Sequence, residues 1–365
     1  MRELVPDLQS MALVVIFTLG NSFIMALGSR AGNDIWLSFL LAIALALPVI
    51  ALYARMRSLM HGESLQEGLA TIYGKWPSRA IALAYSFYAW RLGSYVLIDL
   101  TSFIESISLP TTPRAAVATA YTLLALWAAK EGVEVLARWS VVMIRGVYFI
   151  LFVAFAMLVT EVDLAEFLPV LYDGFQPILL GTLQLLDVPF LETVVLFWVF
   201  DAFVKPDSPY KVFLPGFAIA SVFMCLIASA SLAVLGAEQY ATNYFPVFVA
   251  TSRIDVAAFL TRLEYIVSIS FGIGGFLKVA VCLLAASKAL AIGLGFTDYR
   301  FLVTPVALSM IPAAQWLITD MMEAERIATK VVGSSQVFFQ FVLPLILWIT
   351  AEIRVAKGKK NSAST

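Results

Sequence analysis

Between Ile178 and Phe200 the chain reads ILLGTLQLLDVPFLETVVLFWVF. That run is long enough to cross a bilayer, for which about 20 apolar residues suffice. Its middle holds Asp187, Val188 and Pro189, with Glu192 one turn further on. Proline lacks the N–H that a helix interior needs and collides with the carbonyl four residues earlier. An ionisable group at mid-membrane costs about 2.5 kcal/mol or more on insertion scales. Both penalties at one place predict a broken helix whose freed backbone faces a cavity. A simple kink, with two carboxylates facing protein neighbours, fits the same residues.

The rest of the chain sets that span in a polytopic membrane protein. Of its 365 residues 61% are hydrophobic and 13% charged, with mean hydropathy +0.90, outside the range of soluble globular chains. We read ten transmembrane spans, at 8–28, 34–53, 80–107, 115–129, 136–159, 178–200, 212–235, 256–294, 301–318 and 337–353. All form one integral membrane domain, and 354–365 is expected to be a mobile basic tail. Cys225 and Cys282 both lie inside spans, so no disulfide framework is implied. The single histidine, His61, lies in a loop and rules out a multi-histidine metal site. Acidic Glu3 and Asp7 precede the first apolar run without a cleavage pattern, which argues against a signal peptide.

The first span carries Gly20, Asn21 and Ser22 at its middle. Glycine is a poor helix residue, and Asn and Ser compete for backbone hydrogen bonds. This is a second candidate break, although small residues there fit a close helix contact equally well. Asp34 stands where a carboxylate can cap the second span. Ser64 and Glu67 form a capping-box pattern ahead of a short amphipathic helix along the surface. The third span carries Arg91 and Asp99, eight apart and so on one face, with Ser94 and Tyr95 nearby. The fifth carries Arg145. The loop after the seventh span is rich in aromatics, Tyr240, Tyr244 and Phe245, which suit the membrane interface. The eighth segment is too long for one simple crossing and holds Arg262, Glu264 and Lys278.

Ten spans place both termini on one side. Of the 24 Lys and Arg residues, fifteen fall on that side, five on the other and four, Arg91, Arg145, Arg262 and Lys278, in the spans. The bias puts both termini in the cytoplasm. The two breaks then occupy corresponding positions if the chain is two five-span halves, about 8–159 and 178–353. An odd number of spans per half makes the repeats inverted. Paired interrupted helices at corresponding positions point to a binding site near the midplane.

Several stretches resemble, in order, the B subunit of the nutrient germinant receptors of bacterial endospores, in the amino acid–polyamine–organocation superfamily. They are Leu19-Gly20, residues 31–38 (AGNDIWLS), 109–113 (LPTTP), 132–138 (GVEVLAR), 168–174 (LPVLYDG), 177–179 (PIL), 190–192 (FLE) and 259–264 (FLTRLE). The resemblance implies a LeuT-like, all-α fold of ten helices with the first and sixth interrupted. It implies a ligand pocket between spans one, three, six and eight, and a nutrient ligand, typically an amino acid. It also implies partner A and C subunits in the spore inner membrane. Pocket residues would be Leu19, Gly20, Asn21, Ser22, Ser94, Tyr95, Asp187, Val188, Pro189 and Phe271. The chain departs from the family at Phe200 and Asp201, where a proline is common, and at Phe271, where tryptophan is favoured.

Arg91, Arg145 and Lys278 stand against Asp99, Asp187 and Glu192 in the spans, which suggests an internal charge network of fixed or rearranging pairs. Sodium-coupled relatives of the implied fold use span five in an ion site, where Arg145 would make bound sodium unnecessary. Asp187 or Glu192 would be the better proton carrier, since arginine holds its proton too firmly. A proton-coupled amino-acid permease remains the alternative to a receptor. An enzyme is disfavoured by the lack of H-E-x-x-H and G-x-S-x-G patterns. Nothing calls for a cofactor. The loop-sided basic residues give no phosphate-binding face, so a nucleic-acid partner is not expected.

Overall fold

The computed structural model describes residues 4–60, 63–201, 203, 205, 207–253, 264–317 and 333–362. His61, Arg262 and most of 259–264 lie outside the described residues, as does the end of the ninth span at Ile318. Regular structure is helical throughout the described residues. Hydrocarbon offers backbone groups no partner, so spans with these apolar side chains close their hydrogen bonds within the helix.

Helix α1 (Asp7–Leu19) stops at Gly20, which has φ +39° and ψ −123°. Only glycine takes that conformation without strain. A 3₁₀ turn, Ser22–Ile24, follows. Helix α2 (Ile35–Ser58) starts at Asp34, but its carboxylate does not cap the helix. It accepts instead from the Leu171 N–H, at 3.0 Å to one oxygen and 3.2 Å to the other. The loop before the sixth span, which reaches back to the start of α2, out-competes the cap.

Helix α3 (Leu65–Tyr73) has its capping box: Ser64 Oγ accepts from Glu67 N, and Glu67 accepts from Ser64 N, each at 3.3 Å. Its apolar face is covered, because Tyr73 donates to the Leu347 carbonyl at 2.7 Å from beneath the last helix. Helix α4 (Lys75–Phe103) is 29 residues long and continues as a π turn to Ser108. Helix α5 (Arg114–Glu131) follows. The fifth span is α6 (Val133–Met143) and α7 (Phe149–Leu158), joined by a π turn over Ile144–Tyr148.

The sixth span is α8 (Gln176–Leu185), an interruption over Leu186–Phe190, and a 3₁₀ segment, Leu191–Trp198. Val188 at the interruption is extended, φ −136° and ψ 120°. Helix α9 (Ser208–Leu235) leads to two short helices, α10 (Ala237–Thr242) and α11 (Pro246–Thr251). Two of the aromatics there turn inward, whereas Tyr244 stays exposed. Tyr240 is fully buried and donates to the Leu27 carbonyl at 3.0 Å, and Phe245 packs edge-on to Phe103 at 4.9 Å. They plug the end of the bundle, where apolar area is removed from water.

Helix α12 (Glu264–Leu294) is one uninterrupted rod of 31 residues, about 46 Å long. Its small residues let neighbours approach: a side chain at Gly274 would strike the Gly20 carbonyl, and one at Gly275 would strike Leu100. Its most extensive partner is α4. Helix α13 (Arg300–Trp316) precedes the last span, α14 (Gly333–Val337), a π turn over Phe338–Val342, and α15 (Leu343–Ser362). The backbone of the basic end is helical to Ser362. Among the described residues seven segments are long and apolar enough to cross a membrane: Asp7–Ile24, Ser29–Ser58, Val133–Glu161, Gln176–Trp198, Ser208–Leu235, Glu264–Leu294 and Ser335–Ala356. The remaining long helices, α4, α5 and α13, are shorter or more polar and pack among them.

Candidate functional site

The two interruptions meet on one side chain from α12. The stem of Lys278 runs across Gly20, so close that a Cβ there would lie 2.7 Å from Lys278 Cδ. Its ammonium reaches Glu192 Oε2 at 2.6 Å and donates to Ser22 Oγ at 3.2 Å. It also stands 5.6 Å from the centre of the Phe17 ring. The side chains of the pair are 1% and 3% exposed. One cation thus joins the break in span one, the segment after the break in span six, and α12. Its place at the C-terminal end of α1 also suits the negative end of that helix dipole.

Asp99 completes the outer part of this cluster. Asn21 Nδ2 donates to Asp99 Oδ2 at 2.7 Å, and Tyr244 donates to Oδ1 at 3.1 Å. Tyr244 lies in the loop between α10 and α11. Burial and the neighbouring carboxylate push its phenol well above the ordinary range, so it stays a donor. The Asn21 and Asp187 Oδ1 atoms and the Tyr148 hydroxyl are buried without a partner. Tyr148 lies beside Gly274, next to the first break. Buried polar atoms in native proteins are nearly all satisfied. Three of the buried polar atoms that lack a partner among the described residues thus lie around the two breaks.

A second cluster backs the sixth-span break. Gln340 Nε2 donates to the Asp187 carbonyl at 2.9 Å, and lies 2.9 Å from Tyr88 Oη and 3.1 Å from Gln336 Oε1. Tyr53 donates to the Gln340 carbonyl. The Asp187 carbonyl, inside the interruption, is thus answered by an amide from the last span. Below it, Arg57 donates to the Asp201 carbonyl at 2.9 Å and Lys288 to the Val199 carbonyl at 2.9 Å. Both are 4% exposed.

The charge network differs from the expectation. Among the described residues of the predicted set, Lys278 and Glu192 form an ion pair, but Arg91 and Asp99 do not meet. Arg91 donates to Ser335 at 2.9 Å and lies over the Tyr88 ring, 5.8 Å from its centre. Arg145 does not join at all. It is exposed on the outer face, beside Leu19 and Ile219, so the cation at the first break is Lys278 and not Arg145. A shared helix face says nothing about which neighbour the face meets.

Of the other expected pocket residues, Leu19, Pro189 and Phe271 are buried. Phe271 packs against Phe103 with ring centres 4.5 Å apart and the planes tilted by 46°. Ser94 bonds back to the Trp90 carbonyl of its own helix, and Tyr95 is half-buried without a hydrogen bond to either break. Sequence reasoning missed Tyr88, Tyr148, Tyr244, Gln336 and Gln340. The glutamines carried a signal, since uncharged amides inside an apolar span need partners.

Comparison with known proteins decides the family. Residues 4–319 match the spore permease family, whose members are described as spore germination proteins. The chain belongs to this family. Spore germination protein KB of Bacillus subtilis (strain 168) is 25% identical over 357 residues, covering 97% of this chain and 96% of the relative. The fold resembles that of MHP1, a nucleobase-cation-symport-1 family transporter solved in a closed conformation with bromovinylhydantoin bound. The TM-score is 0.56 at 13% identity, over 93% of this chain and 75% of the transporter. The chain is thus an integral membrane protein of a germination family with a transporter-type fold, and neither likeness is to an enzyme.

Proposed function

We propose that this chain is the nutrient-sensing membrane subunit of a spore germinant receptor. A small ligand, of the amino-acid class, binds between Gly20–Ser22 and Asp187–Pro189, and the subunit signals to partner A and C subunits in the spore inner membrane. In this reading ten helices span the membrane as two inverted five-helix repeats, about 8–159 and 178–353. Both termini are cytoplasmic, as the Lys and Arg bias favours.

The observation that carries the reading is the junction of both breaks through the Lys278–Glu192 pair. A ligand that inserts among Asn21, Ser22, Glu192 and Lys278 must favour one arrangement of the breaks over another. Only such differential affinity shifts a conformational equilibrium and so transmits a signal. The orphaned Asp187 oxygen favours a second reading, a proton-coupled amino-acid permease using the same pocket.

The test is germination of spores lacking this gene, complemented with the wild type or Gly20→Leu, across a panel of amino acids and sugars. Loss of one nutrient response, unrestored by Gly20→Leu at normal protein level, supports the receptor. Unchanged responses, with concentrative uptake by the purified chain in vesicles, support the permease instead.

A further inference from the structure

The outer face of the bundle carries a groove of about 820 Å³ between α1, the α6–α7 rod and α9. Its walls are apolar, with Val15 and Leu19 on one side and Ile219, Val222 and Leu226 on another. At its floor stands Arg145, exposed, with no hydrogen bond or ion pair among the described residues. Beside it Gly146 opens onto free space, and nothing lies within 4 Å of where its side chain would be.

Arg145 is far from either membrane surface. The span Val133–Glu161 has 29 residues, which puts Arg145 about 18 Å from its first residue and about 24 Å from its last. A phospholipid phosphate sits at the edge of a hydrocarbon core about 30 Å thick, and the arginine side chain does not bridge that gap without deforming the bilayer. Intramembrane cations are strongly disfavoured unless paired, and they face protein or water. A fixed guanidinium at mid-depth therefore calls for a carboxylate at mid-depth, and a transmembrane helix is the structure that carries one there.

We propose that this groove docks a transmembrane helix of a partner subunit, and that an aspartate or glutamate on that helix pairs with Arg145. Ile219, Val222 and Phe149, each about half or more exposed, supply the apolar contact, and Gly146 lets the incoming backbone come close. The inference rests on the chain being one subunit of a membrane assembly. It does not depend on the ligand or on the pocket at the breaks, so its failure would leave the germination test above untouched.

The experiment places a photo-crosslinking amino acid at Ile219 of the full chain, in membranes that also contain the proposed A and C subunits. A probe at Leu123, exposed on α5, serves as control. The expected result is an adduct at Ile219 with one transmembrane segment of one partner, mapped by mass spectrometry to within a turn or two of an acidic residue. Arg145→Glu and Arg145→Leu should each reduce it roughly tenfold, about the weight of one buried interhelical pair. Exchanging the mapped carboxylate for lysine should restore it in Arg145→Glu. Because Arg145 faces outward, Arg145→Leu should elute normally on size exclusion, and it decides the matter if Arg145→Glu does not accumulate. Adducts with lipid alone, adducts with a second copy of this chain, or yields indifferent to Arg145 would overturn the proposal.

Discussion

Replacing Glu192 by glutamine removes one half of the buried pair and leaves the Lys278 ammonium facing a neutral amide and the Ser22 hydroxyl in place of a carboxylate. At 2.6 Å and an effective dielectric near 20, the direct attraction is about 6 kcal/mol. The cost of withdrawing two ions from water offsets most of it, so the intact pair adds little net stability. Removal of one partner is different, because the other stays desolvated; the expected loss is about 3–5 kcal/mol. Lys278→Met should cost a similar amount. The double variant, Lys278→Met with Glu192→Gln, leaves no charge behind and should lose far less than the sum of the singles, with a coupling of roughly 3 kcal/mol. The assay is denaturant or thermal unfolding of the detergent-solubilised chain, read by size exclusion, as a double-mutant cycle. Additive losses, within about 0.5 kcal/mol, would refute the reasoning, since they would mean that the two groups do not compensate each other's burial.

Three further outcomes are expected. Gly20→Ala should destabilise the chain by about 1–2 kcal/mol through its left-handed φ alone, with more from contact with Lys278 Cδ, and thermal unfolding would register it. Asp34→Ala leaves the Leu171 amide without its acceptor; hydrogen exchange at Leu171 should quicken, and stability should fall by about 1–3 kcal/mol. Tyr244→Phe removes one of the two donors to Asp99 and should weaken ligand binding to the purified chain by about tenfold, the weight of one charge-assisted hydrogen bond. Unchanged affinity would separate Tyr244 from the site.

The apolar helices and both breaks were legible in the chain itself. A run of apolar residues crosses hydrocarbon as a helix because no other backbone arrangement satisfies its polar groups. Gly20 and Pro189 interrupt such runs through their own covalent geometry, wherever they stand. The capping box at Ser64 and Glu67 is equally local, closed within four residues. Asp34 shows the limit. It occupies a capping position by every local rule, yet its carboxylate serves Leu171, 137 residues away, because the long loop needed an acceptor and α2 did not supply a better use for it.

Charge partnership belonged to tertiary structure. Helical periodicity says that Arg91 and Asp99 share a face, but each meets a different neighbour, Ser335 and Asn21. Lys278 and Glu192 lie 86 residues apart and pair because glycines on α12 bring that helix against the first break. Arg57 and Lys288, near the ends of their spans, look like loop cations and are buried against the end of span six. Arg145 looks internal and faces outward. Backbone rules act within a turn of helix, so the sequence alone determined which runs are helical and where they break. Which charge lies within 3 Å of which depends on the packing and rotation of whole helices, and only the assembled bundle decided that.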